Sequence, residues 1–356
     1  MPLANKVKEA VIGKPQDPLH TDAVHAPDNR YNIALVAFLA WVSLGADGLS
    51  SACYGPQEAF LALGRYTHFG LYLAVATFLT VFIIALAYNQ VIKLFPSGGG
   101  GYKVATQLLG SRAGLVSGSA LLVDYVLTIA ISIAAGVDAL FSLLPLGAQS
   151  YKLITEMALG IGLIVLNLRS MKESLRVLLP IFMGFILTHA GLIIYGIVAH
   201  AEGLPALIPD TLAETEQLTQ QMGWIFAASL FLKAYSLGGG TYTGLEAVSN
   251  NVQLLREPRV ITGRYTMLYM AVALSFTAGG VILLYLLWNA QYIPHQTLNA
   301  VTFGSIIDSW RLDPVLGHSL LAIVMLLEAG LLFVAANIGF LGGPRVLAYM
   351  AVDSWI

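Results

Sequence analysis

The sequence predicts an all-α membrane protein in which two membrane helices are interrupted inside the bilayer. Of the 356 residues, 57% are hydrophobic and only 11% are charged, which lies far outside the range of soluble domains of this length. The formal net charge is −2 and no long run of like charges occurs, so nothing indicates nucleic acid as a partner. The single cysteine, Cys53, excludes an internal disulfide.

The N-terminal segment and the apolar stretches divide the chain. Residues 1–30 are polar, proline-containing and without the apolar core of a signal peptide, which predicts a flexible cytoplasmic tail. Stretches long enough to cross ~30 Å of hydrocarbon as a helix then predict eight spans, the fourth being the shortest. The predicted spans are 33–62, 70–94, 114–144, 153–168, 177–200, 223–250, 265–288 and 318–341.

The distribution of Lys and Arg predicts the orientation of the spans. With a cytoplasmic N-terminus, basic residues concentrate in cytoplasmic segments, and the loop 201–222 carries acids and no base, as an external loop does. We therefore expect a multi-pass protein of the bacterial inner membrane with both ends in the cytoplasm. The external basic residues are Arg65, Lys152 and Arg311, and the cytoplasmic ones are Lys6, Lys8, Lys14, Arg30, Lys93, Lys103, Arg112, Arg169, Lys172, Arg176, Arg256, Arg259, Arg264 and Arg345.

The first and sixth predicted spans carry glycines, hydroxyl residues and an acid where the middle of the membrane is expected, at residues 45–56 and 236–246. Unpaired backbone groups are costly in hydrocarbon, so such irregular backbone is expected only beside protein or a polar cavity. Two interruptions five spans apart predict an inverted-repeat transporter whose binding site lies at the unwound turns. Close helix packing or a simple kink remains the alternative explanation for individual glycines.

Ionisable residues inside the spans indicate what is bound. A charge at mid-bilayer costs ~2.5–3.5 kcal/mol on insertion scales, so each one needs a partner or a function. Asp47 and Glu246 fall in the two interruptions, while Asp124 begins a polar stripe that continues through Thr128 and Ser132. Carboxylate, hydroxyl and freed carbonyl oxygens are ligands for a hard cation. Because two carboxylates around a monovalent cation leave a net negative charge, a proton or a second cation is expected to join it.

Other intramembrane polar residues have a structural explanation at least as good as a functional one. Lys233 precedes the second interruption and is a candidate coupling or structural charge, as is Glu246. Asp138 and Glu328 are expected to be paired or to lie near an interface, and His189 to be a packed or hydrogen-bonded helix residue. The sequence shows no nucleotide loop, metal-ligand cluster or catalytic Ser-His-acid set, so we expect neither an enzyme nor a bound cofactor.

Four segments carry a family resemblance: ADGLSSACYGP at 46–56, FPSGGGGY at 95–102, LLVDYVLT at 121–128 and TGLEAVSN at 243–250. On these segments the chain resembles the APC superfamily of LeuT-like fold and, within it, the KUP- and KimA-type bacterial potassium importers. The resemblance implies a five-plus-five inverted repeat with helices one and six broken. It also implies a potassium site lined by Asp47, Tyr54, Asp124, Thr128 and Thr243.

In that fold, residues 31–200 form the first five-helix repeat and residues 201–356 begin the second with spans six to eight. We therefore expect the second repeat to be incomplete and the chain to be truncated. The leading hypothesis is a secondary active importer of potassium, coupled to protons, with the ion, the proton and the bilayer as partners and a homodimer as a candidate assembly.

Two other functions stay open on the sequence. The first is an amino-acid or polyamine permease of the same superfamily, and the second is a membrane sensor that transports nothing. Amino-acid permeases usually place a Gly-Ser-Gly-Ile-like turn in the first interruption, whose free amides receive the substrate carboxylate. Here Asp47 occupies the corresponding region, where it would repel a carboxylate and attract a cation, so potassium is favoured.

Overall fold

The computed structural model describes residues 35–168 and 175–355, and every regular element in these two ranges is helical. The predicted tail at residues 1–30 and the basic residues Arg169 and Lys172 lie outside the described residues. In chain order, the α-helices are α1 (Ala37–Ser50), α2 (Gly55–Leu61), α3 (Gly70–Leu94), α4 (Gly100–Val104), α5 (Ser111–Phe141), α6 (Lys152–Leu168), α7 (Leu175–Ala199), α8 (Leu204–Met222), α9 (Trp224–Leu237), α10 (Ala247–Asn250), α11 (Arg259–Leu287), α12 (Leu298–Ser309) and α13 (Pro314–Val352).

Six helices of the described part of the chain are long and apolar enough to cross a membrane. Each of the six contains one of the helices α3, α5, α6, α7, α11 and α13, and together they correspond to predicted spans two to five, seven and eight. The other two predicted spans are the interrupted ones: α1 with α2, and α9 with α10. Each of these falls short of a continuous membrane-length helix because its backbone leaves the α-helical path in mid-course.

Two segments expected to be loops are helical. The external loop predicted at 201–222 contains α8, because Leu207, Thr211 and Leu218 lie on one buried face that packs against the protein. Between spans seven and eight lies α12, whose first turn is capped by the Thr297 hydroxyl, which accepts from the Ala300 N–H. The last span is longer than predicted and continues as one helix to Val352.

The interrupted first span lies at the centre of the helix packing. α1 contacts α7, α11 and α13, and its Ala40, Val42 and Ala46 side chains are fully buried. Around it, the most extensive helix contacts join α5 to α13 and α3 to α11. Small residues permit this approach: a Cβ at Gly136 of α5 would lie 2.6 Å from the ring of Phe333 on α13. By contrast, α6 lies at the periphery and buries none of its residues.

Candidate functional site

The first span is interrupted at residues 51–54, within the predicted range 45–56. Pro56 ends the helix, since it has no N–H and its ring collides with the carbonyl four residues earlier, that of Ala52. The chain restarts as α2 with this proline in the first turn. Asp47, expected in the unwound turn, lies instead in the last turn of α1, where its carbonyl accepts from the Ser50 hydroxyl at 2.7 Å.

The second interruption follows α9 and agrees with the predicted position. A 3₁₀ turn spans Gly238–Tyr242, after which Thr243 is extended and Gly244 adopts a left-handed conformation with φ of 82°. The Thr243 hydroxyl donates to the Gly240 carbonyl at 2.9 Å. Glu246 lies at the end of this irregular stretch, immediately before α10.

The two interruptions are in direct backbone contact. A Cβ added to Gly244 would lie 2.4 Å from the backbone nitrogen of Gly48, and one added to Gly55 would lie 2.8 Å from that of Thr241. The Ser51 hydroxyl lies between the carbonyl oxygens of Gly48 (2.5 Å) and Thr241 (2.7 Å) and shares its one hydrogen between them. Glycine at these positions therefore allows the two irregular segments to approach more closely than side chains would permit.

Asp47 is the most buried carboxylate at the interruptions. Its side chain is 5% exposed, and Oδ1 has no hydrogen-bond partner among the described residues. The carboxylates of Glu246 and Asp124 lie within electrostatic range, and Glu246 faces the N–H of Gly244. A buried carboxylate oxygen without a partner is costly unless a cation or proton completes its coordination. The chemistry of this donor set therefore suits a cation.

Neutral oxygens lie next to these acids. Tyr54, directly after the first 3₁₀ turn, lies beside Thr243 and within electrostatic range of Asp47 and Asp124. Its ring packs against the second interruption, where a Cβ on Gly240 would lie 2.9 Å from the ring. The structure thus brings together residues of α1, α5 and both interruptions that the sequence placed in one site.

The polar stripe of α5 faces the protein, as predicted. Thr128 and Ser132 are 6% and 0% exposed, and the Ser132 hydroxyl has no hydrogen-bond partner in the part of the chain that is described. Val123, Val126 and Leu127 lie on the other side of the helix and are all more than half exposed. This division gives a lipid-facing apolar surface and an inward polar surface on one helix.

The remaining ionisable residues singled out from the sequence lie elsewhere. The side chain of Lys233 is exposed on α9 and does not join the three carboxylates. Asp138 forms an ion pair with Lys152 where α5 ends and α6 begins, which is the structural pairing left open by the sequence. Glu328 belongs to a separate buried network in which it contacts His189.

A small cavity beside the first interruption is lined by apolar side chains, among them Trp41, Leu49, Met270 and Leu274. It includes none of the three carboxylates and offers no oxygen ligands from side chains. We therefore do not assign it to cation binding, because a desolvated cation needs a shell of oxygen ligands that this cavity lacks.

Comparison with known proteins identifies the family. Residues 49–356 match the family described as amino acid permease. The chain belongs to this family. It is also 28% identical, over 99% of its length, to the protein of Bacillus subtilis (strain 168) named Potassium transporter KimA. The match covers 55% of that relative, so the chain spans about half of its length.

The family match confirms the resemblance to the APC superfamily. Together with the six apolar helices, it makes the chain a multi-pass membrane protein of a transporter family. Two neighbours of the candidate site were missed from the sequence. Tyr88 of α3 lies within electrostatic range of Glu246 and Asp124, and Tyr125 of α5 lies beside Asn250. Both are tyrosines within apolar spans. A hydroxyl group in an otherwise apolar stretch was the only sequence signal that could have identified them.

Proposed function

We propose that this permease imports potassium across the inner membrane of a bacterium, coupled to protons, by alternating access. The observation that carries the proposal is the buried Asp47, whose Oδ1 has no hydrogen-bond partner in the described ranges and which has Glu246 and Asp124 within electrostatic range. Three carboxylates beside two interrupted helices favour a cation over an anion or a zwitterion. The similarity to a protein named as a potassium transporter supports potassium in particular.

In the proposed site, Asp47 and Asp124 supply negative charge, while Tyr54, Thr128 and Thr243 supply neutral oxygens. Two unit charges 4 Å apart attract by about 4 kcal/mol at an effective dielectric constant near 20. A neutral oxygen contributes a weaker, charge–dipole contact. The two aspartates are therefore expected to determine whether the ion binds, and the hydroxyls to adjust affinity and selectivity.

The third carboxylate gives a reason for proton coupling. Three ionised acids around one monovalent cation leave about two uncompensated negative charges in a poorly solvated place. Protonation of one acid reduces the repulsion between the carboxylates, so the site can hold a proton beside the ion. The two positive charges repel each other, so a favourable linkage between ion and proton binding must come from a shared change of conformation. Glu246 is a candidate coupling or structural charge here, because it lies at the second interruption and is not needed as a ligand in the proposed shell; it need not be the acid that releases the transported proton.

The helix pairing supports a LeuT-like arrangement of two inverted repeats. Span two packs most extensively on span seven and span three on span eight, and the interruptions of spans one and six touch. Elements close to a two-fold axis pack against their own counterparts, so pairing of spans five apart is expected for inverted five-helix repeats. Residues 31–200 would form the first repeat and residues 201–356 would begin the second.

Contacts between three basic segments support the predicted orientation. The glycine-rich loop before Lys103 contacts the segment after the second interruption, where the Gly99 N–H donates to the Asn250 carbonyl at 3.4 Å. The Arg345 guanidinium donates to the Asn251 side chain in the same region. Lys103, Arg345 and Arg256, which follows Asn251 by five residues, thus lie towards one end of the helices, the end expected to face the cytoplasm.

The second candidate is a permease for an amino acid or polyamine. It is favoured by the description of the matched family and by the fact that an organic amine is also a cation. A free amino acid additionally presents a carboxylate, which the three acids would repel. The two functions therefore differ in whether potassium or rubidium alone is a sufficient substrate.

Uptake measurements can decide between these functions. The complete gene is expected to restore growth of a potassium-uptake-deficient bacterium at limiting potassium and to support rubidium uptake. Asp47→Asn and Asp124→Asn should each reduce uptake per amount of membrane protein by about tenfold or more, since each removes a charge-assisted contact. Asp138→Asn is the matched control, because its partly exposed ion pair contributes little. Wild-type rates in both Asn variants would exclude a cation site here. Amine uptake without potassium uptake would favour the second candidate, a permease for an amino acid or polyamine.

A further inference from the structure

A second polar cluster, distinct from the three carboxylates, lies at the other end of the first interruption. His189 of α7 and Glu328 of α13 are each 1% exposed, and their Nε2 and Oε2 atoms are 3.3 Å apart. The Asn299 side chain of α12 donates to both carboxylate oxygens of Glu328, at 3.2 and 3.1 Å. The same amide also donates to the carbonyl of Cys53 at 3.2 Å. The cluster thus connects two spans, α12 and the irregular turn.

The hydrogen bonds of His189 determine how many protons the cluster holds. Its Nδ1 lies 3.0 Å from the Phe185 carbonyl, which can only accept. The Thr188 hydroxyl, 3.3 Å from Nδ1, donates to the Gly184 carbonyl at 2.8 Å, so Nδ1 carries a hydrogen. In a neutral imidazole, Nε2 would then present a lone pair to the Glu328 carboxylate. Two acceptors do not face each other at this distance, so one further proton lies between them. Either an imidazolium meets a carboxylate or an imidazole meets a carboxylic acid, and both states contain the same proton.

The orientation of Asn299 follows from the same reasoning. The Cys53 carbonyl and the Glu328 carboxylate are both acceptors, so the NH₂ group of Asn299 faces them. Its Oδ1 accepts from the Tyr285 hydroxyl, which holds the amide in this orientation. Asn299 therefore joins α12 both to the first interruption and to Glu328, with Tyr285 holding its amide from the other side.

We infer that His189 and Glu328 form a proton-binding site whose proton holds α12 against the first interruption through Asn299. With the proton present, the pair is neutral overall and fully hydrogen-bonded. Without it, a buried carboxylate faces a histidine lone pair, an arrangement that is relieved when Glu328 or Asn299 moves. Because Asn299 also holds the Cys53 carbonyl, release of the proton would loosen α12 at the turn that follows Asp47. This inference rests on the proposed function insofar as the proton is the one coupled to ion import.

The groups that face the pair do not offer a substitute for this proton. The Cys53 thiol lies within electrostatic range of Glu328. The Tyr285 hydroxyl lies within range of Glu328 and of Glu58 on α2. Thiol, phenol and carboxyl groups cannot carry a positive charge, so among these groups His189 alone can neutralise Glu328.

The first test uses the purified product of the complete gene in proteoliposomes at fixed membrane potential. For one proton per ion, the rubidium accumulation ratio changes about tenfold per pH unit of imposed gradient. Glu328→Gln keeps the shape and the neutral, hydrogen-bonded state but cannot release a proton. It should make accumulation independent of the pH gradient while preserving rubidium–potassium exchange at equal pH. A wild-type pH dependence in this variant overturns the inference, and so does loss of exchange together with coupling.

A matched control and a second variant support this test. His318 of α13 is exposed and makes the same Nδ1 contact with the carbonyl four residues earlier, that of Pro314, at 2.7 Å. His318→Gln should therefore keep the wild-type gradient dependence. If Glu328→Gln does not accumulate in the membrane, His189→Gln replaces it, because its amide still offers an N–H to Oε2. The same outcomes then support or overturn the inference.

A second measurement needs no transport and separates this inference from the proposed function. Above about pH 6.5, an unfolded chain carries neutral histidine and ionised glutamate, whereas the proposed folded pair retains the proton between Nε2 and Oε2. Folding stability should then fall as pH rises, and more steeply in the wild type than in Glu328→Gln. Thermal unfolding in detergent measures both slopes. Parallel curves overturn the proton site even if potassium is imported, whereas a wild type that imports no rubidium refutes the proposed function alone.

Discussion

Substitution of Gly244 by alanine tests whether the two interruptions must touch. The new Cβ would lie 2.4 Å from the nitrogen and 2.6 Å from the Cα of Gly48, and 2.8 Å from the carbonyl carbon of Asp47. All three are backbone atoms, so no side chain can rotate away, and the segments must separate by about 1 Å to reach ordinary van der Waals contact. This displacement would move the Thr243 and Glu246 side chains away from Asp47.

The expected cost has two parts. A left-handed residue with a side chain costs about 1–2 kcal/mol, and Gly244 has φ of 82°. Overpacking that forces backbone shifts costs about 1–3 kcal/mol. If the whole of this cost, about 2–5 kcal/mol, destabilises the ion-bound state, the affinity for the ion should fall at least about thirtyfold. Gly244→Ala should therefore lose most rubidium uptake at limiting concentrations.

Two other glycines give a graded control for this experiment. Gly239, in the same 3₁₀ turn as Gly238, has nothing within 4 Å of an added Cβ, so Gly239→Ala should transport like the wild type. At Gly48 the nearest atom is the flexible end of Met270, 3.3 Å away, so Gly48→Ala should have a small effect. Uptake is measured per amount of membrane protein, over a range of rubidium concentrations. Normal affinity in Gly244→Ala would show that ion binding does not depend on the contact between the interruptions.

Two further predictions concern orientation and the ion ligands. On a background without Cys53, a membrane-impermeant reagent applied to sealed cells should label Arg65→Cys and leave Arg256→Cys unlabelled, because the positive-inside rule places them on opposite sides. Thr128→Val should raise the rubidium concentration for half-maximal uptake by less than tenfold, since it removes one neutral ligand worth about 1 kcal/mol, and should leave protein yield near normal.

Each of these has an outcome that contradicts it. External labelling of Arg256→Cys would reverse the orientation and the assignment of cytoplasmic loops. If Thr128→Val weakened uptake as much as Asp124→Asn, the hydroxyl would be more than one neutral ligand among several. If it had no effect at all, Thr128 would not be in the ion's shell.

The sequence was sufficient for the helices whose pattern is strong, and less so for those shaped by tertiary contacts. Spans such as α3 and α11 are long and apolar, so hydropathy alone located them. α12 could not be predicted, because its buried face, with Asn299 and Phe303, is defined by the helices on which it packs. The first interruption lies within the predicted range 45–56, but Asp47 was expected in its unwound turn and lies instead in the last turn of α1, because the chain stays helical as far as Ser50.

The candidate site was predicted through residue types that lipid tolerates poorly. Asp47, Asp124 and Glu246 stand out in sequence because a charge in an apolar span demands an explanation. Tyr88 and the contact between Gly48 and Gly244 carried no comparable signal, since tyrosine and glycine are common in membrane helices. Their roles depend on distances between segments that are far apart in sequence, and only a three-dimensional structure provides these.

The two polar clusters act on one short piece of chain, and this offers a physical route for coupling ion and proton. Asp47 is at its start, in the last turn of α1, and the Cys53 carbonyl held by Asn299 is at its end. Between them, Ser51 bonds to the second interruption through the Thr241 carbonyl. A change of charge at either cluster therefore alters the restraints on the same irregular turn. Coupling needs such an element, one whose equilibrium both sites bias, and no long-range pathway is then required.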